Sequence, residues 1–216
     1  TALQNISFEV QEGEVFGLVG PDGAGKSTLF NILTTLLLPT SGRVDILGMD
    51  IIKDYKDIRQ VIGYLPGTFS LYPDLTVEEN LAFFAVMYKS SVKDSISLIR
   101  PIWKQLVPFK NRKAGQLSGG MKQKLALCCA LIHCPKVLFL DEPTTGVDPV
   151  SRREFWDILK SIQQQGITVV VSTPYMDEAT RCDRIALIQD AHIIEIDTPD
   201  NIIQHFQGKL YTFKSN

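Results

Sequence analysis

Long apolar runs are missing from this chain of 216 residues. No stretch approaches the roughly 18 to 20 residues that carry a helix across a bilayer, so the chain does not span a membrane by itself. Cysteine is sparse. Its four copies, Cys128, Cys129, Cys134 and Cys182, include no Cys-x-x-Cys pair. The three histidines are scattered. Together these absences argue against a metal site built from Cys and His. They point to buried free thiols in a reducing compartment, with Cys128, Cys129 and Cys134 crowded on one apolar helix. Neither sign of charge dominates: 22 Lys and Arg face 24 Asp and Glu, for a net charge of −2. Charge alone therefore suggests neither a nucleic-acid nor an acidic-lipid partner. Internal repeats and low-complexity segments are absent too. So are an initial Met and a signal peptide. Thr1-Ala-Leu reads as cut from a longer polypeptide, and Tyr211–Asn216 as an equally arbitrary end.

Glycine and lysine, by contrast, are concentrated where they say most. Gly20-Pro21-Asp22-Gly23-Ala24-Gly25-Lys26-Ser27-Thr28 fits the phosphate-loop pattern G-x-x-x-x-G-K-[ST]. The glycines let the backbone curl so that successive N–H groups converge on an anion. The positive end of the following helix adds to that field. Lys26 is expected to reach the β- and γ-phosphates of a bound nucleotide, and the Ser27 hydroxyl to ligate Mg²⁺. The context agrees. Val15–Val19 is an apolar run suited to a strand, and Leu29, Ile32, Leu33, Leu36 and Leu37 recur at helical spacing.

The rest of the chain reads as alternating strands and helices, the pattern of a mostly parallel sheet flanked by helices in one domain over residues 1–216. Strands are expected at Ile6–Val10, Glu14–Val19, Gly42–Leu47, Val61–Leu65, Val137–Leu140 and Thr168–Ser172. A hairpin is expected over Arg184–Gln189 and His192–Ile196, turning at Asp190-Ala191. Helices are expected at Asp54–Gln60, at Val77–Tyr88 capped by Thr76, and at Asp94–Leu106 with a break or kink at Pro101. Further helices are expected from Ser118 onward, with Leu125, Cys128, Cys129 and Ile132 as its apolar face, and at Arg152–Gln165, ending near Gly166. Between about residues 67 and 117 the strand signal fades, which marks a helical insertion in an α/β core.

Two further motifs carry chemistry. Val137-Leu-Phe-Leu-Asp141-Glu142 is an apolar strand ending in two acids. Asp141 is placed to hold the Mg²⁺ shell as a Walker B aspartate does, and Glu142 to polarise the attacking water as general base. Ser118-Gly119-Gly120 opens a strong helix, so its free N–H groups make a second anion site. With a helical insertion between them, the two anion sites can hardly face one another within one subunit. A head-to-tail dimer, in which each chain's Ser118 loop covers the other's Lys26 loop, resolves this.

Taken together, Gly20–Thr28, Leu117–Met121, Leu138–Pro143 and Gly146-Val-Asp-Pro149 resemble the nucleotide-binding domain of ABC transporters, across essentially the whole chain. Tyr64-Leu-Pro, Leu71–Asn80 and Tyr175-Met-Asp-Glu-Ala179 are most similar to bacterial multidrug and ABC-2-type exporters, and the phosphate loop to proteins carrying two such domains in one polypeptide. The resemblance implies an α/β phosphate-loop NTPase of ABC type. Such a fold has a mostly parallel core, a small antiparallel β part, and a helical subdomain between the Walker A loop and the signature. It implies Mg·ATP hydrolysis between two head-to-tail domains at the cytoplasmic face of the inner or plasma membrane, powering a separate transmembrane permease domain. Asp148 would lie in the loop that crosses the dimer interface. The aromatic that stacks on adenine would lie upstream of Thr1. Two positions depart from the family pattern. Gly67 stands where a glutamine usually contacts Mg²⁺ and the water, and Pro174 where a histidine usually touches the γ-phosphate. This domain's own site is thus expected to bind ATP and to hydrolyse it poorly, unless a hydroxyl such as Ser172 or Thr173 suffices with Glu142. Its partner is expected to be a non-identical, more complete domain. The alternatives are a non-transport ABC ATPase and an ATP-binding regulatory module.

Overall fold

The computed structural model describes residues 2–68 and 70–206. Its main sheet has six strands: β1 (Val15–Val19), β4 (Ile62–Leu65), β5 (Val137–Asp141), β6 (Thr168–Thr173), β7 (Arg184–Gln189) and β8 (His192–Asp197). Their order is β4-β5-β6-β1-β7-β8, parallel except for the β7–β8 hairpin. Every residue of β1, β5 and β6 is buried, which explains why Val15–Val19, Val137–Leu140 and Val169–Val171 within them are unbroken apolar runs. Alternation sorts the side chains between two faces. Val15, Val19, Leu138, Leu140, Val169 and Val171 meet α3 (Val77–Met87), α4 (Val92–Leu106), α5 (Gly119–Leu131) and α6 (Pro149–Gln163). Phe16, Leu18, Phe139 and Val170 meet α1 (Lys26–Leu33) and α2 (Tyr55–Val61). Each fully buried Leu, Ile or Phe of these layers stabilises the fold by about 1.5–3 kcal/mol.

Helix boundaries follow local chemistry. Thr76 accepts from the Glu79 N–H while Glu79 accepts from the Thr76 N–H, a reciprocal cap that starts α3. Ser118 caps α5 and Asp148 caps α6, with Pro149 in its first turn. The short α7 (Met176–Ala179) follows β6, and α8 (Pro199–Phe206) follows β8. No helix among the described residues is long and apolar enough to cross a membrane.

Helix α1 ends at Leu33, leaving Leu36 and Leu37 beyond it and exposed, and α6 starts at Pro149 rather than Arg152; four further expectations need correction. Ile6–Val10 is not a strand. The β7–β8 hairpin occupies that side of β1, so the segment packs through side chains instead: Ile6, Phe8 and Val10 are half-buried, and Phe8 stacks on Phe16 with centroids 5.4 Å apart. The strand expected at Gly42–Leu47 shrinks to β2 (Asp45–Ile46), paired with β3 (Met49–Asp50) across a tight turn in which Leu47 and Gly48 have positive φ. Helix α4 runs through Pro101 without a break; both Pro101 and Ser97, whose carbonyl loses its helical partner, face solvent, so water can serve that oxygen. Cys134 is exposed and lies beyond the end of α5, whereas Cys128 and Cys129 are buried within it and Cys182 is buried elsewhere. Thr1 and Tyr211–Asn216 lie outside the described residues.

Candidate active site

Because β4, β5, β6 and β1 run parallel, their C-terminal ends open on one edge of the sheet, where ligands of such sheets bind. Register does the rest: Val19 lies opposite Thr173, and Asp141 opposite Ser172. The loop after β1 turns over this edge. Gly25, at φ 105°, is the N-cap of α1 in a left-handed conformation that a side chain would strain. Lys26, 3% exposed, points back into the loop. Its Nζ donates to the carbonyls of Gly20 (2.8 Å) and Pro21 (2.9 Å) and pairs with Glu142 Oε1 at 3.1 Å; Asp22 is 3.9 Å away. Asp22, Gly23, Gly25, Lys26, Ser27, Thr28 and Glu142, with Ala2, line a cleft of about 330 Å³. Ala24 is buried beneath the loop, and Ser27 is exposed at its rim.

The acids that end β5 are held from β6. Ser172 Oγ, itself fully buried, donates to Asp141 Oδ1 at 2.5 Å and accepts the Glu142 N–H at 2.9 Å. Glu142 adopts φ 47°, a strained value for a residue with a side chain, and this hydrogen bond helps to hold it there. Burial, then the nearby Asp141 carboxylate, push the Tyr64 hydroxyl up to about 12. Both hydroxyls considered as substitutes for missing groups are engaged by neighbouring carboxylates, Ser172 by Asp141 and Thr173 by Glu178.

The two departures fall at this edge. A Cβ at Gly67 would lie 3.1 Å from the Asp141 carbonyl and 3.9 Å from its Oδ2, so a side chain there would project at Asp141. Pro174, half-buried, directly follows Thr173. Neither supplies a side-chain donor, and Pro174 lacks a backbone N–H as well.

Ser118, Gly119 and Gly120 lie elsewhere. They pack on the turn between β5 and α6: a Cβ at Gly120 would be 2.7 Å from Ser151 Cβ, and one at Gly119 would be 3.7 Å from the Gly146 carbonyl. Asp148 in that turn accepts from the N–H groups of Val150 and Ser151, and hydrogen bonds from Ser151 hold its carboxyl below the usual carboxylate range. Among the described residues no hydrogen bond or ion pair joins residues 118–120 to residues 20–28. The structure therefore brings Lys26, Asp141, Glu142 and the Gly67 position together, and groups the Ser118 loop with Asp148.

Sequence reasoning missed Glu178, a carboxylate only 2% exposed that accepts from Thr144 and Thr173. The pair Asp177-Glu178 on a four-residue helix gives no sign in sequence of which acid is buried.

Comparison with known proteins points one way. The profile of the family described as ABC transporter matches residues 3–145. The chain is 46% identical over 204 residues to the probable multidrug ABC transporter ATP-binding protein YbhF of Escherichia coli, covering 93% of this chain and 35% of that protein. It is 38% identical over 205 residues to the Nod factor export ATP-binding protein I of Burkholderia lata, covering 94% of this chain and 67% of that protein. The chain thus spans about a third of the first relative's length. Among solved structures, cbiO1 of Clostridium perfringens, part of the ABC transporter complex cbiONQ, superposes with a TM-score of 0.83 at 29% identity, covering 94% of this chain and 84% of that one. A dimeric ATP-binding cassette in a post-hydrolysis state, bound to ADP and Pi, gives 0.81 at 30% identity, covering 92% and 90%.

Proposed function

Because this chain belongs to the ABC transporter family, we propose that it is the ATP-hydrolysing part of an exporter that acts through a separate transmembrane permease domain. The observation that carries this reading is the Gly20–Thr28 loop at the sheet edge, with buried Lys26 paired to Glu142 beside Asp141. In this reading Gly20, Pro21, Asp22, Gly23, Ala24, Gly25, Lys26, Ser27 and Thr28 cradle the phosphates of ATP through backbone N–H groups and the ammonium. The Ser27 hydroxyl and the Asp141 carboxylate are hard oxygen donors. Two such ligands suit Mg²⁺, which keeps water and phosphate oxygens in its remaining positions. When bound, the ion would neutralise charge on the phosphate oxygens. Glu142 takes the proton of the water that attacks the γ-phosphorus, and the β–γ bridging oxygen leaves with ADP.

The second half of the reading concerns partners. Ser118, Gly119, Gly120 and Asp148 sit apart from the chain's own loop, which supports a head-to-tail dimer in which they cap the partner's nucleotide. Gly67 and Pro174 favour weak turnover at the chain's own site, and hence a non-identical partner with a complete one. The multidrug and Nod factor names of the relatives support export, and permease docking would hold the chain at the cytoplasmic face of the inner membrane.

Lys26→Ala is the direct test. It removes the ammonium from the loop and is expected to weaken Mg·ATP binding at least about tenfold, since a charge-assisted contact of roughly 1.5–3 kcal/mol is lost. Calorimetric titration giving equal affinities for variant and wild type would reject the site. A regulatory module without turnover remains the second reading, favoured by Gly67 and Pro174. Full-length protein that binds ATP and shows no ATPase activity sensitive to Lys26→Ala would establish it.

A further inference from the structure

Glu178 lies on α7, four residues beyond Pro174, yet it is 2% exposed. A buried carboxylate is costly unless its oxygens are served. Here each oxygen is served from a different segment. Oε1 accepts from Thr144 Oγ1 at 2.5 Å, and Oε2 from Thr173 Oγ1 at 2.6 Å. Arg152 supplies the counter-charge, with Nε 3.5 Å from Oε1 and its guanidinium 4.5 Å over the Tyr175 ring. That Nε has no hydrogen bond of its own, so the pair is an ion contact in a confined space.

What the three partners do gives the cluster its interest. The Thr173 carbonyl accepts the Gly20 N–H at 3.3 Å, the first amide of the phosphate loop. Thr173 Oγ1 also accepts the Tyr175 N–H at 3.1 Å, which shapes the backbone around Pro174. The Thr144 carbonyl accepts the Val147 N–H at 3.1 Å, closing the turn that leads from Glu142 to Asp148. Arg152 lies in the first turn of α6, one residue beyond the Ser151 that meets Gly120. One carboxylate thus ties together the start of the phosphate loop, the turn after Glu142 and the base of the Ser118 loop.

We propose that Glu178 is a positioning residue: its carboxylate sets the Gly20 end of the phosphate loop through Thr173 and the Glu142–Asp148 turn through Thr144, in a site that has no side chain at residue 67 and no donor at residue 174. The proposal rests on the ATP-site reading above. In this reading Glu178 acts through the two threonines rather than on the nucleotide itself.

The test uses the full-length protein with Glu178→Gln, Thr173→Val and Thr144→Val, and Lys26→Ala as reference. The first readout is amide hydrogen exchange without nucleotide. Glu178→Gln and Thr173→Val should speed exchange at Gly20 about tenfold, while Phe16 and Leu18 in the middle of β1 keep their protection. The second readout is Mg·ATP affinity, expected to fall about threefold to tenfold in Glu178→Gln with a melting temperature within about 3 °C of wild type. Thr144→Val should loosen exchange in residues 145–148 and leave Gly20 protected. Unchanged Gly20 exchange in both Glu178→Gln and Thr173→Val overturns the proposal. So does loss of protection across the whole sheet in step with a large fall in melting temperature, which marks a purely structural role. If Glu178→Gln fails to fold, Thr173→Val, which buries no new charge, carries the same reading. Wild type showing no ATP binding sensitive to Lys26→Ala would sink the ATP-site reading alone, and Gly20 exchange would still decide the role of Glu178.

Discussion

Lys26 has three ammonium protons, and the Gly20 carbonyl, the Pro21 carbonyl and the Glu142 carboxylate stand ready to take them. A bound phosphate must therefore compete with Glu142, the same carboxylate assigned to the attacking water. Ser172 is equally committed, donating to Asp141 while fixing the Glu142 amide. Away from the site, His133 shows how burial sets a pH response. Its ring stacks on Tyr88 with centroids 3.9 Å apart, and Nε2 bonds the Ile62 carbonyl at 2.8 Å, leaving Nδ1 buried without a partner. Burial holds the imidazole below its ordinary 6.5, only partly offset by the bond to Ile62. The neutral ring is therefore the folded form. Its contribution is fully present above pH 6.5 and is lost as the pH falls from there through the lower folded value. Thermal melting should show a falling midpoint between about pH 7 and pH 5, with a shallower fall in His133→Gln. Equal slopes for the two proteins would show that His133 plays no part.

Helix α3 begins where Thr76 and Glu79 exchange hydrogen bonds, and Val77 and Leu81, just inside, are buried on α5's side of the sheet. Thr76→Ala removes the hydroxyl acceptor and should destabilise the protein by about 1 kcal/mol, read as a lower denaturation midpoint with an unchanged slope. A changed slope would mean that the helical insertion unfolds separately from the sheet. This helix was legible in sequence because its cap and its apolar period are local signals. Segment Ile6–Val10 also has a strand pattern, yet it forms none; β6 and β7 take both sides of the neighbouring β1, and the segment packs on it through Phe8 instead. Pro101 misled in the opposite direction: the cost of a proline depends on whether water can reach the orphaned carbonyl, and sequence does not report which face of α4 is wet.

For the assembled molecule the separation of Ser118 from Lys26 is the governing fact. If the Ser118 loop serves a partner's site, Ser118→Arg places a bulky cation over that site and should abolish most ATPase activity of the assembled protein. Glu142→Gln should cost much less, since it disables a site already short of the residue-67 and residue-174 donors. Steady-state rates in the reverse order would refute the asymmetric pairing and favour a homodimer that depends on Glu142.

Chain-local chemistry was enough to read the phosphate loop, the acids ending β5, the cap of α3, the start of α5 at Ser118, and the parallel sheet, because each rests on residue types at short fixed spacings. The register that sets Ser172 against Asp141, the ion pair between Lys26 and Glu142, and the burial of Glu178 between Thr144 and Thr173 join residues from 5 to 116 positions apart. Such contacts depend on which strand lies beside which, and strand order is settled by packing of the whole core.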